Sequence, residues 1–299
     1  MAKFPPAAQA LIDFQPRQSS FVGIDSDGCA FDVMELKQKE CFTPVTIRAW
    51  GLQPVSKYAR ETAEWVNLYS KWRGANRWPN LVQVFDLLAE RPEVKARGIK
   101  VPEGKALKEF LTSGYSLSEP GLKAYIAAGH GDEELWRALD WTRGIDALVA
   151  ETVRGVPPFP MVRESLQKLK DQADMIVVSV TASETLRREW GEHDLAQYVA
   201  VIAGQDMGAK RQHLEWAAKG KYPDDRIIVI GDAPGDRDSA HAVGALFYPI
   251  IPGAEELSWQ RFYDEASGKF LDGAYAGAYE TALIAEFERV LSGTPPWKS

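Results

Sequence analysis

Short apolar runs and helical stripes alternate along much of the chain. Five of the apolar runs are too short for helices and predict β-strands. These runs lie at about 20–25, 175–178, 198–203, 226–230 and 245–251. The segments that separate the last four runs carry apolar residues at helical spacing, as does the segment around 162–169. Such alternation is typical of crossover connections, so the pattern predicts an α/β fold with a doubly wound, Rossmann-like parallel sheet.

The long stretch between the first two predicted strands has a different pattern. It shows no strong strand signal, and its helical stripes are rich in tryptophan and charge and are separated by Gly and Pro. The stripes occupy residues 56–73, 79–90, 104–112, 121–128 and 132–152. We therefore predict a helical domain of residues 33–154 inserted after the first core strand. The α/β core then consists of residues 1–32 and 155–299.

The two ends of the chain complete the predicted core. Residues 1–19 are rich in Pro, Ala and Gln, which predicts an extended lead-in to the first strand. Residues 254–266 and 274–291 carry helical patterns and predict a C-terminal helical extension.

Composition narrows the class of protein. The 299 residues are 45% hydrophobic and 26% charged, as in an ordinary soluble enzyme. A net charge of −7 argues against a general nucleic-acid binder, which needs a basic surface. No apolar run is long enough to span a bilayer, and the opening residues lack a signal-peptide pattern. With only Cys29 and Cys41, no disulfide framework is expected. We expect a cytoplasmic protein with no nucleic-acid or membrane partner.

The first predicted strand ends directly in Asp25-Ser26-Asp27-Gly28. Two carboxylates separated by one residue lie on the same face of an extended strand, and a turn at the glycine also lets them converge on one ligand. Such a pair repels itself unless a cation or a proton is present, and hard carboxylate oxygens favour Mg²⁺. The alternative is an ordinary Asp-Gly turn at the surface.

Polar residues also follow the later strands. Ser179 comes directly after the second strand, and Asp232 and Asp236 lie in the Gly/Pro turn after the fourth. Lys210 lies at the start of a predicted helix, where it reaches inward as a point charge or stays solvated. Thr181 competes with Ser179, and either hydroxyl also fits a helix N-cap. The carboxyl ends of parallel strands meet at one edge, where open α/β sheets bind their ligands.

In chain order, these positions resemble the motifs of the haloacid dehalogenase superfamily. Asp25-Ser26-Asp27-Gly28 resembles the first motif, Ser179 the second, Lys210 the third, and residues 231–236 the fourth. The resemblance covers about 20–32 and 155–250, and it implies that the helical insertion is a cap of the C1 type. One residue departs from the pattern: Cys29 stands where the family usually has a β-branched residue. A thiol there is open to oxidation if it is exposed.

The resemblance implies an Mg²⁺-dependent phosphatase that hydrolyses a small phosphorylated metabolite. Asp25 is then the nucleophile that forms an aspartyl-phosphate, and Asp27 is the general acid and base. Ser179 and Lys210 are expected to bind the transferring phosphoryl oxygens.

The resemblance also implies the ligands of the metal ion. The expected Mg²⁺ ligands are Asp25, the backbone carbonyl of Asp27, and Asp232, with Asp236 assisting directly, through water or through Lys210.

Several other activities fit the same core. A phosphomutase uses the same residues, and a phosphonate hydrolase needs a cap lysine, for which the candidates are Lys37, Lys39, Lys57 and Lys71. A dehalogenase needs no leaving-group acid, so Asp27 favours phosphoester chemistry. A phosphorylation receiver is disfavoured by the large insertion, and a catalytically silent binding protein stays a further alternative.

The segment 69–79 of the insertion combines cations with indoles. Arg73 and Arg77 fit the wall of a pocket for an anionic substrate. In the alternative, the tryptophans belong to the core of the cap and the arginines to its surface.

Overall fold

A computed structural model describes residues 4–298 of the chain, and a five-stranded parallel sheet lies at the centre of its larger unit. The strands are β1 (Ser20–Ile24), β2 (Ala173–Val178), β3 (Val201–Ala203), β4 (Ile227–Gly231) and β5 (Leu246–Pro249). Their order across the sheet is β3-β2-β1-β4-β5, and every neighbouring pair is parallel. The predicted α/β class and all five predicted strands are confirmed.

Strand β1 is central and is buried on both faces. Val22 pairs with Met175 of β2 on one side and with Ile228 of β4 on the other. Every residue of β1, β2 and β4 is buried, as expected for a parallel sheet that helices cover on both sides. Because these three strands are adjacent and parallel, the residues that follow them meet at one edge of the sheet.

Helices connect the strands and extend the core beyond β5. They are Val162–Leu169, Ser183–Glu192, Lys210–Ala217, Pro234–Val243, Glu255–Arg261, Ser267–Leu271 and Ala278–Val290, with a π-helical turn at Phe262–Ala266. The last of the crossover helices begins at Pro234, because proline suits the first turn of a helix, where no N–H is needed.

The prediction of an extended lead-in is wrong. A 3₁₀ turn (Pro6–Ala8) leads into a short helix (Gln9–Ile12), and the side chains of Ala8, Leu11 and Phe14 pack into the core beside the sheet. The Lys221 ammonium donates hydrogen bonds to the carbonyls of residues 11, 12 and 14, which the end of the helix leaves unpaired. Within a Pro/Ala/Gln-rich composition, the three-residue spacing of these apolar positions was the missed signal. Residues 1–3 of the predicted lead-in lie outside the described part.

The chain divides into two compact units. One contains the residues up to Met34 and Gly155–Leu291, and the other contains Glu35–Arg154 and the residues from Ser292 onward. The last residues therefore group with the helical unit, which differs from the predicted division. Trp297 accounts for this, because its ring meets Trp65 edge to face and lies against the Arg91 guanidinium.

The second unit is helical throughout its described residues. Its α-helices longer than four residues are Thr43–Ala49, Ser56–Leu68, Arg77–Glu90, Pro92–Ala96, Lys105–Thr112, Glu119–Tyr125 and Glu133–Thr152. It also contains the end of a short helix (Val33–Leu36), π-helical turns at Lys37–Phe42 and Ile126–His130, and 3₁₀ turns at Gln53–Val55 and Pro296–Lys298. None of the helices in residues 4–298 has the length and apolar character needed to cross a membrane.

Both arginines of segment 69–79 bind within the helical unit. Arg73 is buried and donates to the carbonyl of Leu68, while Arg77 donates to Thr142 and to the carboxylate of Asp146. The indole of Trp78, nearby in sequence, lies in the core of the unit. Trp78 therefore agrees with the interpretation of this segment as core, but Arg73 is buried and does not lie on the surface as that interpretation expected.

Leu11→Ala tests whether the lead-in helix contributes to the core. Leu11 is fully buried, so truncation should lower the free energy of unfolding by about 2–5 kcal/mol. Leu257→Ala is the matched control, because that side chain is 70% exposed and its loss should cost less than about 0.5 kcal/mol. Urea titrations followed by circular dichroism measure both values. Equal, small losses would mean that the lead-in does not support the core.

Candidate active site

Three candidate residues lie at the carboxyl ends of adjacent strands. Asp25 directly follows β1, Ser179 follows β2, and Asp232 follows β4. The N–H of Asp25 donates to the carbonyl of Ile230 at 2.9 Å, and the N–H of Ser179 donates to the carbonyl of Ala203 at 3.0 Å. The hydrogen bonding of the sheet thus continues through Asp25 and Ser179 and fixes the positions of their backbones.

The loop after β1 is held by two indoles from distant parts of the chain. Gly28 adopts φ +79°, a left-handed conformation that glycine allows without strain. The Nε1–H of Trp190 donates to Ser26 Oγ at 3.0 Å, and the Nε1–H of Trp259 donates to the carbonyl of Cys29 at 2.8 Å. All four partners are buried. Sequence reasoning missed both indoles, since no local pattern links them to the loop.

Three carboxylates converge at this edge of the sheet. Asp25, Asp232 and Asp236 are buried, and each offers a carboxylate oxygen within 4.8 Å of the other two. The Lys210 ammonium lies 2.9 Å from Asp25 Oδ2 and 2.6 Å from Asp236 Oδ1. Lys210 is the first residue of its helix and points inward rather than into solvent, with 13% of its side chain exposed.

Burial disfavours the ionised forms of these side chains. Desolvation raises the pKa of Asp25 well above its usual value, and the carboxylates of Asp236 and Asp232 raise it further against the opposing effect of Lys210. The pKa of Asp236 is also raised, by desolvation and by Asp232. Desolvation lowers the pKa of Lys210, but the two adjacent carboxylates outweigh it and the net shift is upward. The cluster thus holds three carboxylates and one ammonium, which contacts two of them, so full ionisation leaves an excess of negative charge.

The donor set fits a divalent metal ion. Three closely spaced carboxylates repel one another, and the single ammonium does not balance their charge, so a further cation would stabilise them. Donors that are all oxygen suit Mg²⁺. The carboxylate of Asp27 does not belong to this cluster of three.

Asp236 is fixed by its own loop as well as by Lys210. Its Oδ2 accepts the N–H of Ala233 at 3.1 Å, in the manner of a helix cap. A methyl group on Gly231 would lie 2.4 Å from the Cβ of Asp236, which is closer than carbon atoms approach. The glycine that ends β4 therefore makes room for this carboxylate.

The two hydroxyls after β2 have different partners. Ser179 Oγ accepts the N–H of Thr181 at 3.2 Å, which leaves the serine hydroxyl able to donate. Thr181 Oγ1 donates to Asp27 Oδ2 at 3.0 Å. Neither hydroxyl caps the next helix, because the residue before that helix is Ala182, and the helix has no side-chain cap.

Cys29 is fully buried and lies against the carbonyl of Ile230. Desolvation, reinforced by the nearby carboxylates of Asp25, Asp232 and Asp236, raises the pKa of its thiol well above the usual value. The thiolate is the reactive form of a cysteine, and this environment disfavours it. The condition for oxidation sensitivity, exposure of the thiol, is not met.

No family model matches the chain, and no curated protein matches it either. Among solved structures, 73 chains are similar to it. A haloacid dehalogenase-like hydrolase from Streptococcus pneumoniae is 15% identical, over 81% of this chain and 90% of its own, with a TM-score of 0.40. A haloacid dehalogenase-like hydrolase from Xanthomonas campestris is 11% identical, over 89% and 99%, with a TM-score of 0.40. A predicted phosphoglycolate phosphatase from Haemophilus somnus is 14% identical, over 79% and 90%, with a TM-score of 0.45.

Gly231→Ala tests the close approach of Asp236 to β4. The added methyl group must displace Asp236 or the strand, so the free energy of unfolding should fall by about 1–3 kcal/mol. Gly235→Ala is the control, because its methyl group meets nothing within 4 Å and alanine suits a helix better than glycine. Denaturant titration of both variants gives the comparison. A Gly231→Ala protein as stable as the control would show that the strand has room for a side chain.

Proposed function

We propose that this chain is a hydrolase of the haloacid dehalogenase superfamily, an Mg²⁺-dependent phosphatase that acts on a small phosphorylated metabolite. The observation that carries the proposal is the buried group of Asp25, Asp232, Asp236 and Lys210 at the carboxyl ends of adjacent strands. Its charge requires a cation, and its ammonium and the neighbouring Ser179 suit a phosphoryl anion.

Asp25 is the proposed nucleophile. Its carboxylate attacks phosphorus and forms an aspartyl-phosphate, which divides one difficult displacement into two. The ammonium of Lys210, 2.9 Å from Asp25 Oδ2, holds this carboxylate and offsets the charge of the incoming phosphoryl group. The Ser179 hydroxyl, fixed at the end of β2, donates to a phosphoryl oxygen. These donors stabilise charge that spreads over the phosphoryl oxygens in the transition state.

Asp27 is the proposed acid and base. It protonates the leaving oxygen in the first displacement and takes a proton from the attacking water in the second. The bond from Thr181 to its carboxylate supports a defined orientation for this work. A leaving halide needs no proton, so an acid at this position favours phosphoester over carbon–halogen chemistry.

Asp25, the backbone carbonyl of Asp27 and Asp232 are the proposed metal ligands, with Asp236 bound to Lys210 beside them. The metal ion, when bound, would reduce the repulsion between the anionic nucleophile and the anionic phosphoryl group. The chain's own part is to hold these carboxylates at a fixed spacing in a buried site.

Removal of divalent metal should abolish turnover. We expect phosphate release from a panel of phosphorylated metabolites in the presence of Mg²⁺, loss of that release in EDTA, and recovery when Mg²⁺ is restored in excess. A malachite-green assay of phosphate measures all three. Undiminished release in EDTA would contradict the proposed metal dependence.

Asp25→Asn should lower kcat below detection, because an amide is a far poorer nucleophile than a carboxylate. The melting temperature of the metal-free protein should not fall, since the change removes one of three repelling carboxylates. Asp140→Asn is the control, because that side chain is 81% exposed and should leave turnover unchanged. Wild-type turnover in Asp25→Asn would exclude Asp25 as the nucleophile.

Ser179→Ala should lower kcat by roughly 10²–10³, the loss of about 2–4 kcal/mol that follows removal of one transition-state donor. The change also removes the acceptor for the Thr181 N–H, so Ser292→Ala serves as control. Ser292 Oγ accepts the N–H of Thr294 at 3.0 Å in the same two-residue arrangement. The control should lose similar stability but no activity. If both variants keep wild-type kcat, Ser179 does not bind the transferring group.

A further inference from the structure

A hydrogen bond joins the loops that follow β1 and β2. The donor is Thr181 Oγ1 and the acceptor is Asp27 Oδ2, at 3.0 Å and 154 residues apart in the chain. The hydroxyl is partly buried and makes no cap for the adjacent helix. The contact therefore has no part in local secondary structure, and its effect falls on the carboxylate of Asp27.

The backbone of Thr181 is held independently of its hydroxyl. Its N–H donates to Ser179 Oγ at 3.2 Å, and its carbonyl accepts the N–H of Gln205 at 3.0 Å. A methyl group on Gly204 would lie 2.4 Å from the Thr181 carbonyl oxygen, so these two backbones are in close contact. The hydroxyl is thus presented to Asp27 from a fixed position.

We propose that Thr181 is a positioning residue that orients the Asp27 carboxylate for proton transfer. This inference rests on the proposed function, in which Asp27 is the acid and base. A carboxylate on a short side chain rotates about two bonds, whereas proton transfer requires a donor at hydrogen-bond distance and in line with its acceptor. A hydrogen bond to one carboxylate oxygen restrains both the rotation and the plane of the group.

Both proton transfers depend on that orientation. In the first displacement, an Asp25 oxygen forms a bond to phosphorus while the bond from phosphorus to the leaving oxygen breaks. The leaving oxygen keeps the electron pair and takes the proton of Asp27. In the second, water attacks phosphorus, Asp27 takes one of its protons, and the bond to Asp25 breaks with its electron pair returning to the carboxylate. The sum is an alcohol and inorganic phosphate from the ester and water.

The role of Thr181 differs from that of Ser179 in a measurable way. A hydroxyl that binds the transferring phosphoryl group serves every substrate alike. A hydroxyl that orients the acid matters most when the leaving group is a poor one that needs its proton, as an alkoxide does. A nitrophenolate leaves without protonation, so its departure is insensitive to the acid. Hydrolysis of the aspartyl-phosphate is common to both substrates and needs Asp27 as base in each case.

The test compares Thr181→Val, Thr181→Ser and Ser179→Ala with the wild-type protein on two substrates. One is para-nitrophenyl phosphate, and the other is the best alkyl phosphate from the metabolite panel. The ratio kcat/KM reports the steps up to release of the leaving group, and kcat also reports hydrolysis of the intermediate. Valine keeps the shape of threonine but removes the donor, and serine keeps the donor.

For Thr181→Val, we expect kcat/KM to fall by about 10²-fold for the alkyl phosphate and by less than about 3-fold for the aryl phosphate. Its kcat for the aryl phosphate should fall as well, with a stoichiometric burst of nitrophenolate as the aspartyl-phosphate accumulates. Thr181→Ser should restore most of the alkyl phosphate activity, and Ser179→Ala should lower kcat/KM for both substrates by similar factors.

Equal losses on the two substrates in Thr181→Val, or no loss on either, would overturn the inference while the wild-type protein remains a phosphatase. A melting temperature unchanged from wild type shows that the fold is retained. If valine destabilises the loop, Thr181→Ser decides the question instead: recovery of alkyl phosphate activity supports the inference, and an equal loss on both substrates overturns it. Absence of turnover of every phosphate ester by the wild-type protein would contradict the proposed function, and this inference with it.

Discussion

Burial of unbalanced charge is the constraint on which the arrangement of the core depends. Asp25, Asp232 and Asp236 are almost completely removed from solvent, and the Lys210 ammonium lies against two of them. Such a group is stable only if the surrounding structure prevents it from relaxing apart. The buried strands of the sheet provide that resistance, and the Ala233 N–H and the space left by Gly231 keep Asp236 in place.

The same constraint explains why so many long-range contacts surround the loops at this edge. Trp190 and Trp259 donate to the loop after β1 from helices more than 150 residues away, and Thr181 reaches Asp27 from the loop after β2. The two indole bonds are buried, where an unmade bond is costly, and the Thr181 bond is partly buried. The loops therefore have one favoured conformation, which suits a site whose chemistry depends on distances.

The sequence predicts the position of the site better than its internal contacts. Asp25, Ser179 and Asp232 each follow an apolar run directly, and the topology of parallel strands is enough to bring such residues to one edge. The roles of Trp190, Trp259 and Thr181 depend on the direction of side chains across tertiary contacts, which no local pattern encodes. The lead-in helix differs in this respect: the spacing of Ala8, Leu11 and Phe14 does indicate it, but the proline-rich composition around these residues favours an extended segment. Trp297 was assigned to the core because nothing near it in sequence marks its partner, Trp65.

The position of the helical segment in the chain has a consequence for folding. Strand β1 pairs with β2 and β4, and both of these strands follow it only after the whole segment Glu35–Arg154. Pairing of the central strand therefore depends on contacts between parts of the chain that are far apart in sequence, which slows folding. Until those contacts form, the apolar strand has no partners, the situation in which assistance from chaperones has the most to offer.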